Sequence, residues 1–162
     1  MEQDVVENYI VNKDTLALVP YFKGEAKTLI YEKGKKPILA KKTPLKILDD
    51  ACIAGGASLE GRNKAVRERT NIQKKRPVPV NLDHMIYAFP VMSYLATDNE
   101  WVFIHHLIGF EHAAPSKDKG KTVLTFSDQQ KLTVRASKYS IKQQMQRTHT
   151  CIVEFNPKND AS

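Results

Sequence analysis

In the first third of the chain, apolar and polar residues alternate with a period of two, the pattern of half-buried β-strands. Residues 14–22 and 26–34 show this alternation, and the turn-forming letters KGE separate them. A tight turn at Gly34 then leads into a short strand at 37–41. The chain is therefore expected to begin with three consecutive strands.

A helix follows, and both of its ends are marked in the sequence. Thr43 is suited to be the N-cap, and Pro44 to occupy the first helical position. Apolar residues then recur at spacings of three and four, as on a helix that buries one stripe: Leu45, Leu48, Ala51 and Cys52. The pair Gly55–Gly56 is expected to end this helix.

The next segment, residues 62–76, is dominated by positive charge. Only Glu68 offsets its seven cations: Arg62, Lys64, Arg67, Arg69, Lys74, Lys75 and Arg76. Ser58 could cap a second helix here, but Val66 and Ile72 are the only sizeable apolar residues after Leu59. We therefore expect a projecting loop or arm and not a packed helix.

The second half of the chain holds the most apolar segments. Residues 85–91 are typical of a buried strand, and residues 100–112 of one long strand. Residues 114–121 have the composition of a loop. Residues 121–137 alternate around the letters SDQQ and predict a β-hairpin.

The C-terminal part predicts one more helix. Ser137 is expected to cap a short amphipathic helix whose stripe comprises Tyr139, Ile141 or Lys142, Met145, and Thr148 or His149. Residues 151–155 predict a closing strand or extended segment, and residues 156–162 a frayed tail.

The predicted fold class is α+β, a single mixed domain of mostly antiparallel strands with two or three short helices. This domain is expected to span residues 1–162, with about 10–155 structured and frayed ends.

Composition adds the charge balance to this picture. The 162 residues are 41% hydrophobic and 27% charged, which is typical of a folded protein with a real core. The formal net charge of +7 favours phosphate-bearing partners. Residues 62–76 carry seven basic groups against one acidic, and residues 23–46 carry eight against two, so each stretch has a net charge of +6. We expect these charges to form separate faces.

The residues that an active site would need are missing. Cys52 and Cys151 lie far apart in apolar surroundings, which predicts buried, inert thiols. On a strand, His105 and His106 would point to opposite faces, and no CxxC or HExxH motif accompanies them. No dinucleotide-binding or Walker motif is present. We therefore predict no enzyme, no metal and no cofactor.

The ends and the hydropathy of the chain bear on its location. The N-terminus is acidic and lacks the layout of a signal peptide, and no apolar run approaches the length that spans a bilayer. We expect a cytoplasmic protein that has no membrane partner.

The basic segments are the remaining candidates for function. Lys and Arg bind a phosphate backbone with release of counterions, and arginines suit the narrow minor groove of A·T-rich DNA. The DNA-binding candidates are Arg62, Arg67, Arg69 and Arg76 for groove insertion, and Lys64, Lys74 and Lys75 for phosphates. A second candidate DNA surface comprises Lys131, Arg135, Lys138 and Lys142, with Arg147 nearby. The residues alone leave open a merely solvated surface, or a face for an acidic protein or a lipid.

Several motifs, in order, resemble the ComK family, the competence transcription factors of Gram-positive bacteria. They are PLKILDDAC at 44–52, the group Gly61, Arg62 and Lys64, the letters YAFP at 87–90, the later W and HH, LTFSDQQKLTV at 124–134 and SKYSIKQQMQRT at 137–148. The resemblance covers residues 10–155. The chain departs from the family in ending soon after CIVEFNPK, where family members continue with a longer C-terminal tail, so functions of that tail are not carried over.

The resemblance implies a sequence-specific DNA-binding activator of competence (DNA-uptake) genes, associated with the nucleoid. Its expected partner is double-stranded DNA, bound at A·T-rich paired boxes largely through the minor groove. A dimer, higher assembly on DNA, RNA polymerase and a Clp-protease adaptor are further partners that the resemblance implies. The alternative from the residues alone is a non-catalytic module whose basic face binds an acidic partner.

Overall fold

The computed structural model of this protein describes residues 4–93, 96, 98–113 and 120–156. In chain order its elements are β1 (Val5–Val6), β2 (Thr15–Lys23), β3 (Ala26–Glu32), β4 (Ile38–Ala40), α1 (Pro44–Ala54), α2 (Leu59–Thr70), β5 (Val78–Asn81), β6 (Ile86–Pro90), β7 (Trp101–Phe103), a 3-10 turn (Ile104–His106), β8 (Leu107–His112), β9 (Thr122–Phe126), β10 (Lys131–Val134) and α3 (Lys138–Phe155). Residues 114–119 of the predicted loop and 157–162 of the predicted frayed tail lie outside the described residues.

The strands form two sheets. Seven strands are ordered β1-β4-β3-β2-β7-β6-β5, and three are ordered β10-β9-β8. The pairing of β1 with β4 is parallel, and the other pairings in these sheets are antiparallel. The predicted fold class, α+β with mostly antiparallel strands, is confirmed.

The core lies on both faces of the seven-stranded sheet. Along β7, Trp101 and Phe103 join a cluster that includes Ile47 and Leu48 of α1. Val102, between them, joins a second cluster with residues of β9, β10 and α3. Because neighbouring residues of a strand point to opposite faces, α1 covers one face of this sheet and the smaller sheet with α3 covers the other.

The predicted ends of α1 are confirmed in detail. The Thr43 side chain accepts a hydrogen bond from the Lys46 backbone N–H at 3.2 Å, and Pro44 stands in the first turn. At the other end, a Cβ atom on Gly55 would lie 2.9 Å from the Val80 carbonyl oxygen. Only glycine allows the chain to pass so close to β5.

The prediction of a projecting arm at residues 62–76 was wrong, because residues 59–70 form helix α2. The Ser58 side chain accepts from the Gly61 N–H at 3.0 Å, and Asn71 ends the helix in the left-handed conformation. Leu59 and Val66, seven residues apart, are both buried. Two anchors on one face are sufficient here because well-formed caps satisfy both ends of the helix.

The prediction of one long strand at 100–112 was also wrong. The chain leaves the large sheet after Phe103, makes the 3-10 turn at 104–106 and enters the small sheet at Leu107. Residues 151–155, predicted as a closing strand, form the last turns of the 18-residue helix α3. On α3 the predicted stripe holds for Ile141 but not for Tyr139, which is 69% exposed.

Candidate nucleic-acid interface

Helix α2 determines which way the first basic residues face. Because Leu59 and Val66 point into the core, residues on the far side of the helix are directed to solvent. Lys64 and Arg67 lie on this exposed side, whereas Arg62 is only half exposed. The seven cations of residues 62–76 are hereafter termed the α2 basic surface.

The remaining three cations lie on the segment 73–76, which packs against α3. The Gln144 side chain is buried and donates from Nε2 to the Lys75 carbonyl oxygen at 3.0 Å and to the Pro90 carbonyl oxygen at 2.7 Å. Lys75 itself has a φ of 49°, in the left-handed region that a side chain disfavours. The bond from Gln144 therefore holds a strained backbone in place.

A groove of about 660 Å³ opens between α2 and this segment. Lys74, Lys75 and Arg76 line one part of it, and the rest of its lining is Glu60, Asn63, Gln73 and Ser93. Three cations against the single acid Glu60 give this groove a net positive charge, which attracts an anionic ligand.

The four arginines of the α2 basic surface each have a partner within the protein. The Arg62 guanidinium donates to the Gly55 carbonyl oxygen at 2.9 Å, and Arg67 pairs with Glu68 at 3.2 Å. Arg76 donates from Nε to the Ile72 carbonyl oxygen at 2.6 Å. These bonds anchor the arginines and leave other N–H groups of each guanidinium without a protein partner, but the Arg62 Nε is buried and cannot reach an external ligand.

Arg69 joins α2 to the end of α3. It donates to the Glu154 carbonyl oxygen at 2.8 Å and lies 3.3 Å from the Glu154 carboxylate. Its guanidinium carbon also lies 4.2 Å from the centre of the Phe155 ring. Carbonyl groups at a helix C-terminus lack partners within the helix, so this arginine stabilises the end of α3.

The three lysines differ from the arginines. In the described part of the chain, Lys64, Lys74 and Lys75 have neither an ion pair nor a side-chain hydrogen bond. Their charges are therefore not offset by a direct contact with an acid. Unpaired lysines beside a groove are what binding to a phosphate backbone requires.

The second candidate surface is partly neutralised. Arg135 pairs with Asp98 at 3.0 Å and lies 4.0 Å from the buried carboxylate of Glu100. Lys138 pairs with Glu111 at 3.3 Å. Lys131 and Lys142 are exposed and have no ion pair within the described residues. Arg147 donates to the Gln144 side chain at 2.7 Å, which helps to orient that glutamine.

The two histidines do not point apart as the strand prediction required. Both lie in the 3-10 turn, and both Nε2 atoms bond to the Lys13 carbonyl oxygen, at 2.9 Å for His105 and 2.8 Å for His106. Burial and the neighbouring His106 lower the pKa of His105. The two histidines thus hold the loop before β2 in place. The described residues contain no group of three or more His, Cys, Asp or Glu that could hold a metal ion.

The cysteines are placed as predicted. Both are buried, and burial raises the pKa of the Cys52 and Cys151 thiols to about 12. A thiol with so high a pKa is protonated at neutral pH and is a poor nucleophile. Separately, none of the described helices has both the length and the apolar character needed to cross a bilayer.

Sequence reasoning missed Gln144 as a residue that positions the interface. It lies on the buried face of α3 between Ile141 and Thr148. A glutamine within the apolar stripe of a helix is the signal that could have identified it, because a buried amide needs partners.

Comparison with known proteins assigns the chain to a family. A family model described as ComK protein matches residues 6–160. The competence transcription factor of Bacillus subtilis (strain 168) is 29% identical over 156 residues, which are 96% of this chain and 79% of that protein. No solved structure matches the chain. The chain therefore belongs to the ComK family, a family of transcription factors and not of enzymes, as the sequence resemblance predicted.

Proposed function

We propose that this protein is a DNA-binding transcription activator of competence genes, and that the α2 basic surface binds the phosphate backbone of A·T-rich duplex DNA. The observation that carries this proposal is the set of lysines at 64, 74 and 75. They are unpaired in the described part of the chain, and two of them line the open groove. Family membership supports transcription control as the purpose of that binding.

The lysines and the arginines of the α2 basic surface would contact different parts of the DNA. Lysine is a compact charge that suits a phosphate. Three such contacts would release about three counterions from the DNA, and this release favours binding. The arginines present planar guanidinium groups that fit the narrow, strongly negative minor groove of A·T-rich sequences. Arg67, which is exposed on the same side of α2 as Lys64, is the arginine best placed for this role, because Arg69 is held against Glu154 and Phe155.

Further parts of the proposal rest on the resemblance alone. They are binding at paired boxes, dimerisation with higher assembly on DNA, and contacts with RNA polymerase and a Clp-protease adaptor. These contacts would occur in the cytoplasm, where the protein would be associated with the nucleoid. The described residues carry no contact that bears on them.

The test compares binding to two labelled duplexes of equal length, one A·T-rich and one G·C-rich, at several salt concentrations. We expect tight, A·T-selective binding whose affinity falls steeply as salt rises, by about 0.9 log units per log unit of salt for each phosphate contact. Equal and weak binding to both duplexes would refute the proposal. An acidic protein would then be the better candidate partner of the basic face.

A further inference from the structure

The hairpin formed by β2 and β3 extends beyond the strands that flank it. The pairing of β2 with β7 reaches Leu18, whereas its pairing with β3 continues to Lys23 opposite Ala26. On the other side, β4 pairs with β3 no further than Thr28. The tip of the hairpin, residues 21–27, is therefore not paired with either neighbouring strand, and its residues other than Tyr21 and the buried Ala26 are exposed.

One residue of this tip, Phe22, combines an exposed aromatic ring with an unusual backbone conformation. Phe22 is 53% exposed, and its φ of 48° lies in the left-handed region, which is rare for a bulky side chain. The pairing is irregular between Pro20 and Lys23, where Phe22 occupies a bulge. Strained backbone and an exposed aromatic ring are both unfavourable for the fold alone, and such strain concentrates at ligand-binding positions.

Local turns account for most of the other non-glycine residues that share this conformation. Asn71 ends α2, Met85 lies in the turn between β5 and β6, and Gln129 lies in the turn between β9 and β10. The remaining one is Lys75, which lies on the α2 basic surface. Phe22 thus shares its unusual backbone with a residue of the proposed DNA-binding groove.

Two cations accompany the exposed ring. Lys23 and Lys27 are exposed and have no ion pair within the described residues. The Lys23 ammonium lies 5.4 Å from the centre of the Tyr21 ring, which limits its freedom without removing its charge. With the exposed acid Glu25 between these lysines, the tip keeps a net charge of +1 beside its apolar ring. An apolar ring and a net positive charge match the stacked bases and the charged phosphates of a duplex.

The hairpin tip and the groove are connected through Asn99. Phe22 and Asn99 both line a cavity of about 350 Å³. The Asn99 side chain donates to the Ser93 carbonyl oxygen at 2.9 Å, and Ser93 lines the groove beside Lys74 and Lys75. A duplex that extends from the groove past Asn99 would meet the tip of the hairpin.

We propose that Phe22 is an apolar wedge that enters this duplex between two base pairs, while Lys23 and Lys27 contact the phosphates on either side. Apolar side chains that enter between base steps partly unstack them and bend the DNA, which brings more of the duplex onto the protein. The inference rests on the proposed DNA-binding function and adds a second contact element to it.

The experiment uses the full chain and an A·T-rich duplex in which 2-aminopurine replaces one adenine at successive positions. The fluorescence of this base rises when it loses its stacking partners. With the unmodified protein we expect a several-fold rise at one base step. Phe22→Gly should abolish the rise and raise the thermal stability, because glycine adopts a positive φ without strain. Phe22→Asn, whose side chain tolerates this backbone, should also abolish the rise.

The control is Tyr139→Ala, which removes an aromatic ring that is 69% exposed on α3. It should leave the fluorescence rise intact. A second measurement uses Lys23→Gln with Lys27→Gln, which should reduce the slope of log affinity against log salt by about 1.8.

The outcomes separate the two proposals. If the unmodified protein fails to prefer the A·T-rich duplex, both proposals are overturned. If it binds that duplex but Phe22→Gly and Phe22→Asn give the same rise as the unmodified protein, or no step shows a rise, the wedge is overturned and the DNA-binding function stands. Unfolding of Phe22→Gly would identify the ring as a structural element, and an unchanged signal in Phe22→Asn would then overturn the wedge.

Discussion

Two stretches of this chain, residues 23–46 and residues 62–76, carry the same net charge of +6. In the folded structure they differ in how their cations are paired with acids. Four of the eight lysines in the first stretch form ion pairs: Lys35 with Glu32, Lys41 with Glu7, and Lys42 and Lys46 with Asp50. Glu7 and Asp50 lie outside the stretch in sequence. Charge counted along a chain is therefore not the charge that the folded surface presents.

The second stretch keeps more of its charge available. Within the described residues it forms ion pairs with Glu68, beside Arg67, and with Glu154, beside Arg69, and Glu60 lines the groove with Lys74 and Lys75. Arg62 and Arg76 bond to backbone carbonyl oxygens and have no ion pair in the described part of the chain. Backbone bonds can hold a cation in place without neutralising it, and in this respect the second stretch differs from the ion pairs of the first.

The largest effect is expected from removing the unpaired charges. Replacing Lys64, Lys74 and Lys75 together by glutamine should weaken binding to an A·T-rich duplex on the order of 100-fold at physiological salt, because about three phosphate contacts are lost. The slope of log affinity against log salt should fall by about 2.7. Titration by fluorescence anisotropy measures both quantities.

The matched control takes three lysines from the other stretch. Replacing Lys35, Lys41 and Lys46 by glutamine removes the same formal charge from positions that are already paired with acids. The salt slope should stay close to that of the unmodified protein. Equal losses in the two triple variants would show that net charge alone determines binding.

The next effect concerns the support of the groove. Gln144→Leu leaves the carbonyl oxygens of Lys75 and Pro90 without the donor that now satisfies them. The free energy of unfolding should fall by about 2 kcal/mol, since buried polar groups lose their partner. Urea denaturation measures the change, and Gln146→Leu, at an exposed position of α3, should stay within about 0.5 kcal/mol of the unmodified protein. Equal effects of the two changes would mean that Gln144 does not hold segment 73–76.

A smaller effect is expected where α2 meets α3. Arg69→Ala removes the contact with the Phe155 ring and both bonds to Glu154. Because Arg69 is partly exposed, the loss should be about 1 kcal/mol in the free energy of unfolding. Arg67→Ala, which removes a pair with an adjacent exposed glutamate, should change stability little. If Arg67→Ala were the more destabilising change, Arg69 would not be the link between the helices.

The smallest effect is a dependence on pH in the paired stretch. Hydrogen bonds from Lys42 and Lys46 hold the pKa of the Asp50 carboxyl below its ordinary value. A lowered pKa means that this carboxylate stabilises the fold above its ordinary pKa and loses that contribution as the pH falls through the lowered value. Asp50→Asn should therefore lose less stability than the unmodified protein between pH 5 and pH 2.

Thermal unfolding across that pH range measures the difference. Asp83→Asn serves as the control, because Asp83 forms no ion pair within the described residues. Its loss of stability on acidification should match that of the unmodified protein. A curve for Asp50→Asn that also matched would show that the Lys42–Asp50–Lys46 pairing contributes nothing measurable.

Local signals were sufficient for the parts of the fold that depend on neighbouring residues. The ends of α1 follow from Thr43, Pro44 and the glycines after it, and the hairpin at 121–137 follows from alternation around a turn. Arg62 and its basic neighbours could be selected from sequence because charge is visible there. Whether those cations bind DNA stays a prediction.

The parts of the fold that the sequence patterns did not predict depend on contacts between residues that are distant in the chain. The break in the predicted strand at 104–106 depends on the Lys13 carbonyl oxygen, more than ninety residues away in the chain. Helix α2 has little apolar surface of its own and packs through Val66 and Arg69 against residues of α3. Periodicity cannot report such contacts, because each partner is visible only in the folded chain.

If the unpaired lysines of the α2 basic surface touch DNA and the paired lysines of residues 23–46 do not, DNA should shield only the first set from chemical modification. Acetylation of each lysine, followed by mass spectrometry with and without an A·T-rich duplex, measures this shielding. We expect DNA to protect Lys64, Lys74 and Lys75, whereas Lys35, Lys41 and Lys46 should react as before. Protection of the lysines at 131 and 142 instead, with Lys64, Lys74 and Lys75 still reactive, would contradict this expectation.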